Sequence, residues 1–168
     1  HHVIVIDDFN DYYDPKFKVE NIALYALDSR VKVYRGSITD FSLLQDIFSK
    51  EKIDKVIHLA ARAGVRPSIA DPKLYQEVNV VGTENLLELC KEHGIQKFIF
   101  ASSSSVYGNQ VKTPFSETDP IYPISPYGET KKSVELLAHS YHMLYGISCI
   151  GLRFFTVYGE RGRPDMAP

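Results

Sequence analysis

Cysteine is scarce. The 168 residues hold two, Cys90 and Cys149. Two thiols cannot build a disulfide framework, which fits a reducing compartment, and the cytoplasm is the expected location. Each lies in an apolar stretch and is expected as a buried free thiol. An excess of one charge is absent too: 19 Lys+Arg against 21 Asp+Glu leave a formal net charge of −2. That balance offers no electrostatic reason to expect nucleic acid or an anionic membrane as partner. No apolar run reaches the roughly 18 residues of a membrane span. No metal is expected. What is present is the balance of an ordinary folded domain, 44% hydrophobic and 24% charged residues, at a length usual for one domain. The chain opens at His1-His2, straight into Val3-Ile4-Val5-Ile6, and closes at Arg163-Pro-Asp-Met-Ala-Pro168. It reads as an internal piece of a longer protein.

Short β-branched runs alternate with helical patterns. Strands are expected at residues 3–6, 31–34, 55–59, 97–101 and 148–154. The run Val56-Ile57-His58-Leu59 looks buried on both faces. Helices are expected at 16–27, 41–50, 74–92 and 127–145, with Gly94 and Gly146 as stops. Residues 102–125 form a long loop, a feature often functional in a compact domain. This alternation argues an α/β fold, a parallel sheet covered by helices on both faces. Ligands in such sheets sit at the carboxyl ends of strands. Four unusual segments follow strand ends: Asp7-Asp8, residues 60–66, 102–107 and 155–159.

Ser125-Pro-Tyr-Gly-Glu-Thr-Lys131 carries the strongest signal. Pro126 fits a first helical turn, which places Tyr127 and Lys131 at i,i+4 on one face. A nearby ammonium favours the phenolate and makes the tyrosine a usable base. The same pair also describes a solvated helix face. Ser102, Ser103, Ser104 and Ser105 leave a buried strand as four hydroxyls, suited to lining a polar pocket or to closing the loop on itself. After His58, the small residues of Leu59-Ala-Ala-Arg-Ala-Gly64 allow a flat ligand, or a helix, to approach closely. His58 itself reads as a satisfied core histidine. Asp7 ends the first strand, where an acid can accept from ribose hydroxyls or simply hold a turn.

Taken in order, these segments resemble the extended short-chain dehydrogenase/reductase family, in its sugar-nucleotide epimerase and dehydratase branch. The motifs are His58-Leu-Ala-Ala, Asn79-Val-Val-Gly-Thr-Glu-Asn-Leu86, Ser102-Ser-Ser-Ser-Val-Tyr-Gly108, Ser125-Pro-Tyr-Gly with Lys131, and Arg153-Phe-Phe-Thr-Val-Tyr-Gly159. Three further pieces are similar to UDP-glucuronate 4-epimerases: Asp11-Tyr-Tyr-Asp-Pro15, Ala63-Gly-Val-Arg66 with Ser68, and Gly162-Arg-Pro-Asp-Met-Ala167. The resemblance implies a Rossmann-like doubly wound parallel sheet, in which residues 1–168 are part of an NAD-binding domain.

It also implies a mechanism, epimerisation at carbon 4 of a nucleotide sugar through a transient 4-keto sugar, with NAD retained. Tyr127 is the implied base, Lys131 holds the nicotinamide ribose and keeps Tyr127 acidic, and Ser103 hydrogen-bonds the reacting hydroxyl. The implied cofactor contacts are Asp7, Ser37, Ile38, Leu59, Ala60, Ala61, Asn79 and Phe154, besides Tyr127 and Lys131. Ser37-Ile38 stands where the family usually has Asp-Ile, one expected adenine contact fewer. Ser104, Ser105, Arg66, Phe155 and Thr156 are the implied substrate contacts. Where related dehydratases carry an acidic pair, Ser104 and Ser105 are neutral. That argues against dehydration and tolerates a sugar carboxylate, so UDP-glucuronate is the expected substrate.

No glycine precedes Gly36, so the family's glycine-rich phosphate turn, with its strand and helix, is expected to lie outside the chain, as is a C-terminal substrate domain. The chain alone is expected to bind NAD weakly and not to turn over. Other readings remain: a UDP-glucose 4-epimerase, another dehydratase, decarboxylase or reductase of the family, and a non-catalytic NAD-binding scaffold. Helices 74–92 and 127–145 are candidates for a homodimer surface.

Overall fold

A computed structural model describes residues 1–164. Asp165, Met166 and Ala167 of the last epimerase-like piece lie outside the described residues. The chain forms two compact units, one joining His1–Ile38 to the stretch from Thr156 onward, the other being Thr39–Phe155.

In the first unit, β1 (Val3–Asp7) pairs in parallel with β2 (Val31–Arg35), from Val3 opposite Val31 to Asp7 opposite Arg35. The crossover carries α1 (Pro15–Ala26). Its start is written in Asp14-Pro15: the Asp14 carboxylate accepts from Lys16 N–H at 3.0 Å, and proline occupies the first turn, where no N–H is missed. None of its side chains is buried. Tyrosines of the loop before α1 and of α1 itself lie beneath cations here. Lys18 lies over the Tyr13 ring, Arg163 over Tyr12 and Arg161 over Tyr25, at 4.8, 5.1 and 5.8 Å.

The second unit holds a parallel sheet in the order β3 (Val56–His58), β4 (Lys97–Ser103), β5 (Ser148–Phe154). Its helices are α2 (Phe41–Lys50), the short α3 (Val65–Ala70) and α4 (Pro72–Tyr75), α5 (Gly82–Glu92) and α6 (Pro126–Tyr145). Asp40, Asp71 and Ser125 cap α2, α4 and α6 through their side-chain oxygens. Gly146, in the left-handed region at φ 73°, ends α6. The expected helix at 74–92 is not continuous. Residues Gln76–Val81 form a π-helical turn between α4 and α5, a distortion frequent at functional sites. The expected loop at 102–125 begins instead as the end of β4 and a 3-10 turn, Ser104–Tyr107.

The core of this unit is Leu44 and Ile47 of α2, Leu87 and Leu89 of α5, Phe98 of β4, Val106, Val134 of α6 and Ile147, all fully buried. Each contributes about 1.5–3 kcal/mol relative to exposure. Phe98, Phe100 and Ser102 share the covered face of β4. The other face is open. Ile57, Ile99 and Ile150 are register partners across all three strands, and Ile57 is 61% and Ile150 51% exposed. The run at residues 56–59 is therefore buried on one face only, because Ile57 and Leu59 point away from the helices. Cys90 is buried but Cys149 only half-buried, since β5 borders the sheet.

Gly151 lies opposite Phe100, and a Cβ there would come within 2.5 Å of the Phe100 ring. Gly151→Ala is expected to cost about 1–3 kcal/mol by overpacking, read as a lower midpoint in urea. An unchanged midpoint would show that the ring moves aside freely.

Candidate active site

Because β3, β4 and β5 are parallel, their carboxyl ends share one edge of the second unit's sheet. From that edge emerge the small-residue loop after His58, the serine segment 102–105 and Phe155. Tyr127 sits in the first turn of α6, Lys131 one turn later. The helix can land close to the serine turn because residue 128 is glycine: a Cβ there would be 2.7 Å from the Ser105 carbonyl oxygen and 3.0 Å from Pro123.

Lys131 is 4% exposed. Its Nζ donates to the Ala101 carbonyl at 2.9 Å and lies 5.9 Å from the Tyr127 ring centroid. Among the described residues no carboxylate pairs with it. Burial alone pushes its pKa from 10.5 down to about 8. An ammonium has three donors, so the Ala101 carbonyl leaves two for other acceptors. The Tyr127 ring meets Tyr75 edge-on at 6.2 Å, and its N–H donates to Ser68 Oγ at 3.1 Å. Ser103 is buried and its Oγ accepts from Ser105 N–H at 3.2 Å, capping the 3-10 turn.

The loop after β3 is fastened by Asn79. Its Oδ1 accepts from Arg62 N–H at 2.7 Å, and its Nδ2 donates to the Arg62 carbonyl and Thr130 Oγ1, both at 3.0 Å. The side chain, expected against the cofactor, is thus engaged with the loop and α6. His58 is buried and neutral: desolvation, then the Lys131 charge, hold its pKa near 3. Its Nε2 pairs with Thr83 Oγ1 at 2.9 Å, and Thr83 in turn donates to the Asn79 carbonyl at 2.5 Å. This is the core histidine the sequence reading favoured.

The chain matches the model of the GDP-mannose 4,6 dehydratase family over residues 1–167. It belongs to that family. It is 46% identical over 166 residues to the UDP-glucuronate 4-epimerase of Thermodesulfobacterium geofontis, covering 98% of this chain and 51% of that one. It is similar to the Bacillus cereus UDP-glucuronic acid 4-epimerase solved with UDP-glucuronic acid and NAD, with TM-score 0.87 and 44% identity over 99% of this chain and 52% of that one. It also resembles a Streptomyces venezuelae dTDP-glucose 4,6-dehydratase solved with NAD bound, with TM-score 0.87 and 30% identity over 98% of this chain and 49% of that one. The chain thus spans about half the length of the curated relatives first matched. The fold of this family member is Rossmann-like α/β with parallel sheets.

The remaining sequence candidates divide by unit. Leu59 and Ala60 are exposed and Ala61 half-buried after β3; Ser104 and Ser105 are half-buried; Arg66, Phe154 and Phe155 are exposed. All belong to the second unit. Asp7, Ser37, Ile38 and Thr156 belong to the first. Asp7 is exposed, and its Oδ1 accepts from Phe9 N–H at 2.7 Å. Phe9 takes φ 47° there. Ser68 and Thr83 stood in quoted motifs without an assigned role, and Tyr75 and Glu135 were not anticipated. Glu135 carried a signal, four residues past Lys131 on the same helix face. Its partner Arg153 stood in a quoted motif, but helix–strand pairing is invisible in the sequence.

The buried Lys131 and His58 set a pH signature. Both have folded pKa values below the unfolded ones, so the unfolded state binds more protons between each pair of values, and stability there rises with pH. For Lys131 that window is pH 8 to 10.5, for His58 pH 3 to 6.5. In urea titrations across pH 8–10.5, the native chain is expected to gain about 1–3 kcal/mol relative to Lys131→Met. A constant difference between the two would refute the buried, uncompensated charge.

Proposed function

We propose that the full-length protein carrying this chain is an NAD-dependent sugar-nucleotide 4-epimerase, an isomerase converting UDP-glucuronate to UDP-galacturonate. The observation that carries this reading is the buried Lys131 ammonium, without a carboxylate partner among the described residues, beneath Tyr127 at the end of β4. A cation so placed favours the Tyr127 phenolate. Its two remaining donors fit the hydroxyls of a ribose, so the donor set suits a nicotinamide dinucleotide.

Bound NAD would supply a reversible hydride acceptor for carbon 4. Tyr127 accepts the proton of the sugar 4-hydroxyl and returns it at the end. Ser103 hydrogen-bonds that oxygen, and Lys131 keeps the phenolate charge compensated. The sugar, oxidised at carbon 4 in between, turns over and is reduced on its other face. The other cofactor contacts proposed are Asp7, Ser37 and Ile38 in the first unit, and Leu59, Ala60, Ala61 and Phe154 in the second. Asn79 contributes by fixing the loop through Arg62. Ser104, Ser105, Arg66, Phe155 and Thr156 are proposed to meet the substrate, where neutral serine hydroxyls accommodate a sugar carboxylate.

A homodimer is proposed through α6, whose Leu136, Met143 and Leu144 face outward and are 57–71% exposed. Sedimentation tests it. No helix among the described residues is long and apolar enough to cross a membrane. The free thiols Cys90 and Cys149 suit the cytoplasm.

The test follows UDP-glucuronate by proton NMR with the full-length protein and no added NAD. Anomeric signals of UDP-galacturonate are expected to grow to a steady ratio. Tyr127→Phe is expected to slow this by roughly 10²–10⁴-fold. Conversion of UDP-glucose alone would discard the acidic sugar. No turnover of either overturns the reading.

A further inference from the structure

Tyr127, Lys131 and Glu135 stand at i, i+4 and i+8 on α6, one stripe of the helix. The stripe grips consecutive residues at the end of β4. Lys131 donates to the Ala101 carbonyl at 2.9 Å. Ser102 Oγ donates to Glu135 Oε1 at 2.5 Å. The next residue is Ser103. From the other side, Arg153 of β5 holds Glu135 by a two-pronged pair, Nε to Oε1 and Nη2 to Oε2, both at 2.9 Å. The remaining Nη1 of Arg153 donates to the Tyr107 hydroxyl and the Glu117 carbonyl, both at 3.1 Å. One carboxylate therefore joins α6, β4, β5, the 3-10 turn and the loop beyond it. Such a largely covered pair adds little net stability against apolar packing, but its fixed geometry is demanding.

We propose that Glu135 is a positioning residue. Through Ser102 it sets the register of Ser103 against the α6 face that carries Tyr127 and Lys131. Through Arg153 it ties that register to Tyr107 and the following loop. The inference rests on the roles proposed above for Tyr127, Lys131 and Ser103. An indifferent staple would hold β4 to α6 without a particular effect at Ser103.

The full-length protein is compared with Ser102→Ala, Glu135→Gln and the double variant. Ser102→Ala removes one hydroxyl and keeps the ion pair, so it is the variant expected to fold normally. It is expected to lower kcat at least 10-fold with KM within twofold, and the double variant to be no slower than Glu135→Gln alone. Amide hydrogen exchange gives a reading independent of activity: in Ser102→Ala, protection is expected to fall at residues 103–107 while α2 and α5 are unchanged. Unchanged exchange at 103–107, or an equal loss across α2 and α5, overturns the positioning role. A wild-type protein without turnover whose exchange responds as expected sinks the epimerase reading alone. A native turnover rate in Ser102→Ala sinks the positioning role alone.

Discussion

A lysine ammonium buried against a single carbonyl is the constraint around which the second unit is arranged. Lys131 reaches Ala101 only because α6 descends close onto the end of β4. That descent needs Gly128 beside the Ser105 carbonyl, the Ser125 cap that starts the helix and Ser68 holding Tyr127 N–H. Burial at this point opposes stability, because the charged form loses hydration and one hydrogen bond returns only part of it. The surrounding core, from Leu44 to Val134, carries that cost.

The sheet shows the opposite economy. Its helix-facing side is close-packed, with Phe98 and Phe100 covered and Gly151 trimmed so that one ring can lie flat across β5. Its other side presents a row of three isoleucines across the strands. Apolar area left open in this way withholds stabilisation of about 25 cal/mol per Å².

Strand and helix order was legible from periodicity and caps. Asp14-Pro15, Asp40, Ser125-Pro126 and the glycines at 94 and 146 mark boundaries through local chemistry that needs no tertiary context. Periodicity could not show that residues 76–81 widen into a π turn, within which Asn79 bonds to Arg62 and Thr130, residues distant in sequence. Nor could it show that Ile57 faces outward, since a continuous apolar run does not say which face is covered. At the candidate site, Tyr127 and Lys131 were placed on one face by spacing alone. Ser103 was picked out by resemblance. The pairing of Arg153 with Glu135 escaped because a contact that joins a strand to a helix leaves no mark at fixed spacing.

The hydrogen bonds that run from β3 to α6 have a direction. His58 faces Thr83, Thr83 gives its hydroxyl proton to the Asn79 carbonyl, and the Asn79 amide donates to Thr130, which gives its proton to the Tyr127 carbonyl. Each hydroxyl ends on an amide oxygen, and an amide oxygen does not take up a proton near neutral pH. The series transmits position but insulates against charge. His58 is mechanically coupled to the helix that carries Tyr127 yet cannot feed it a proton by this path.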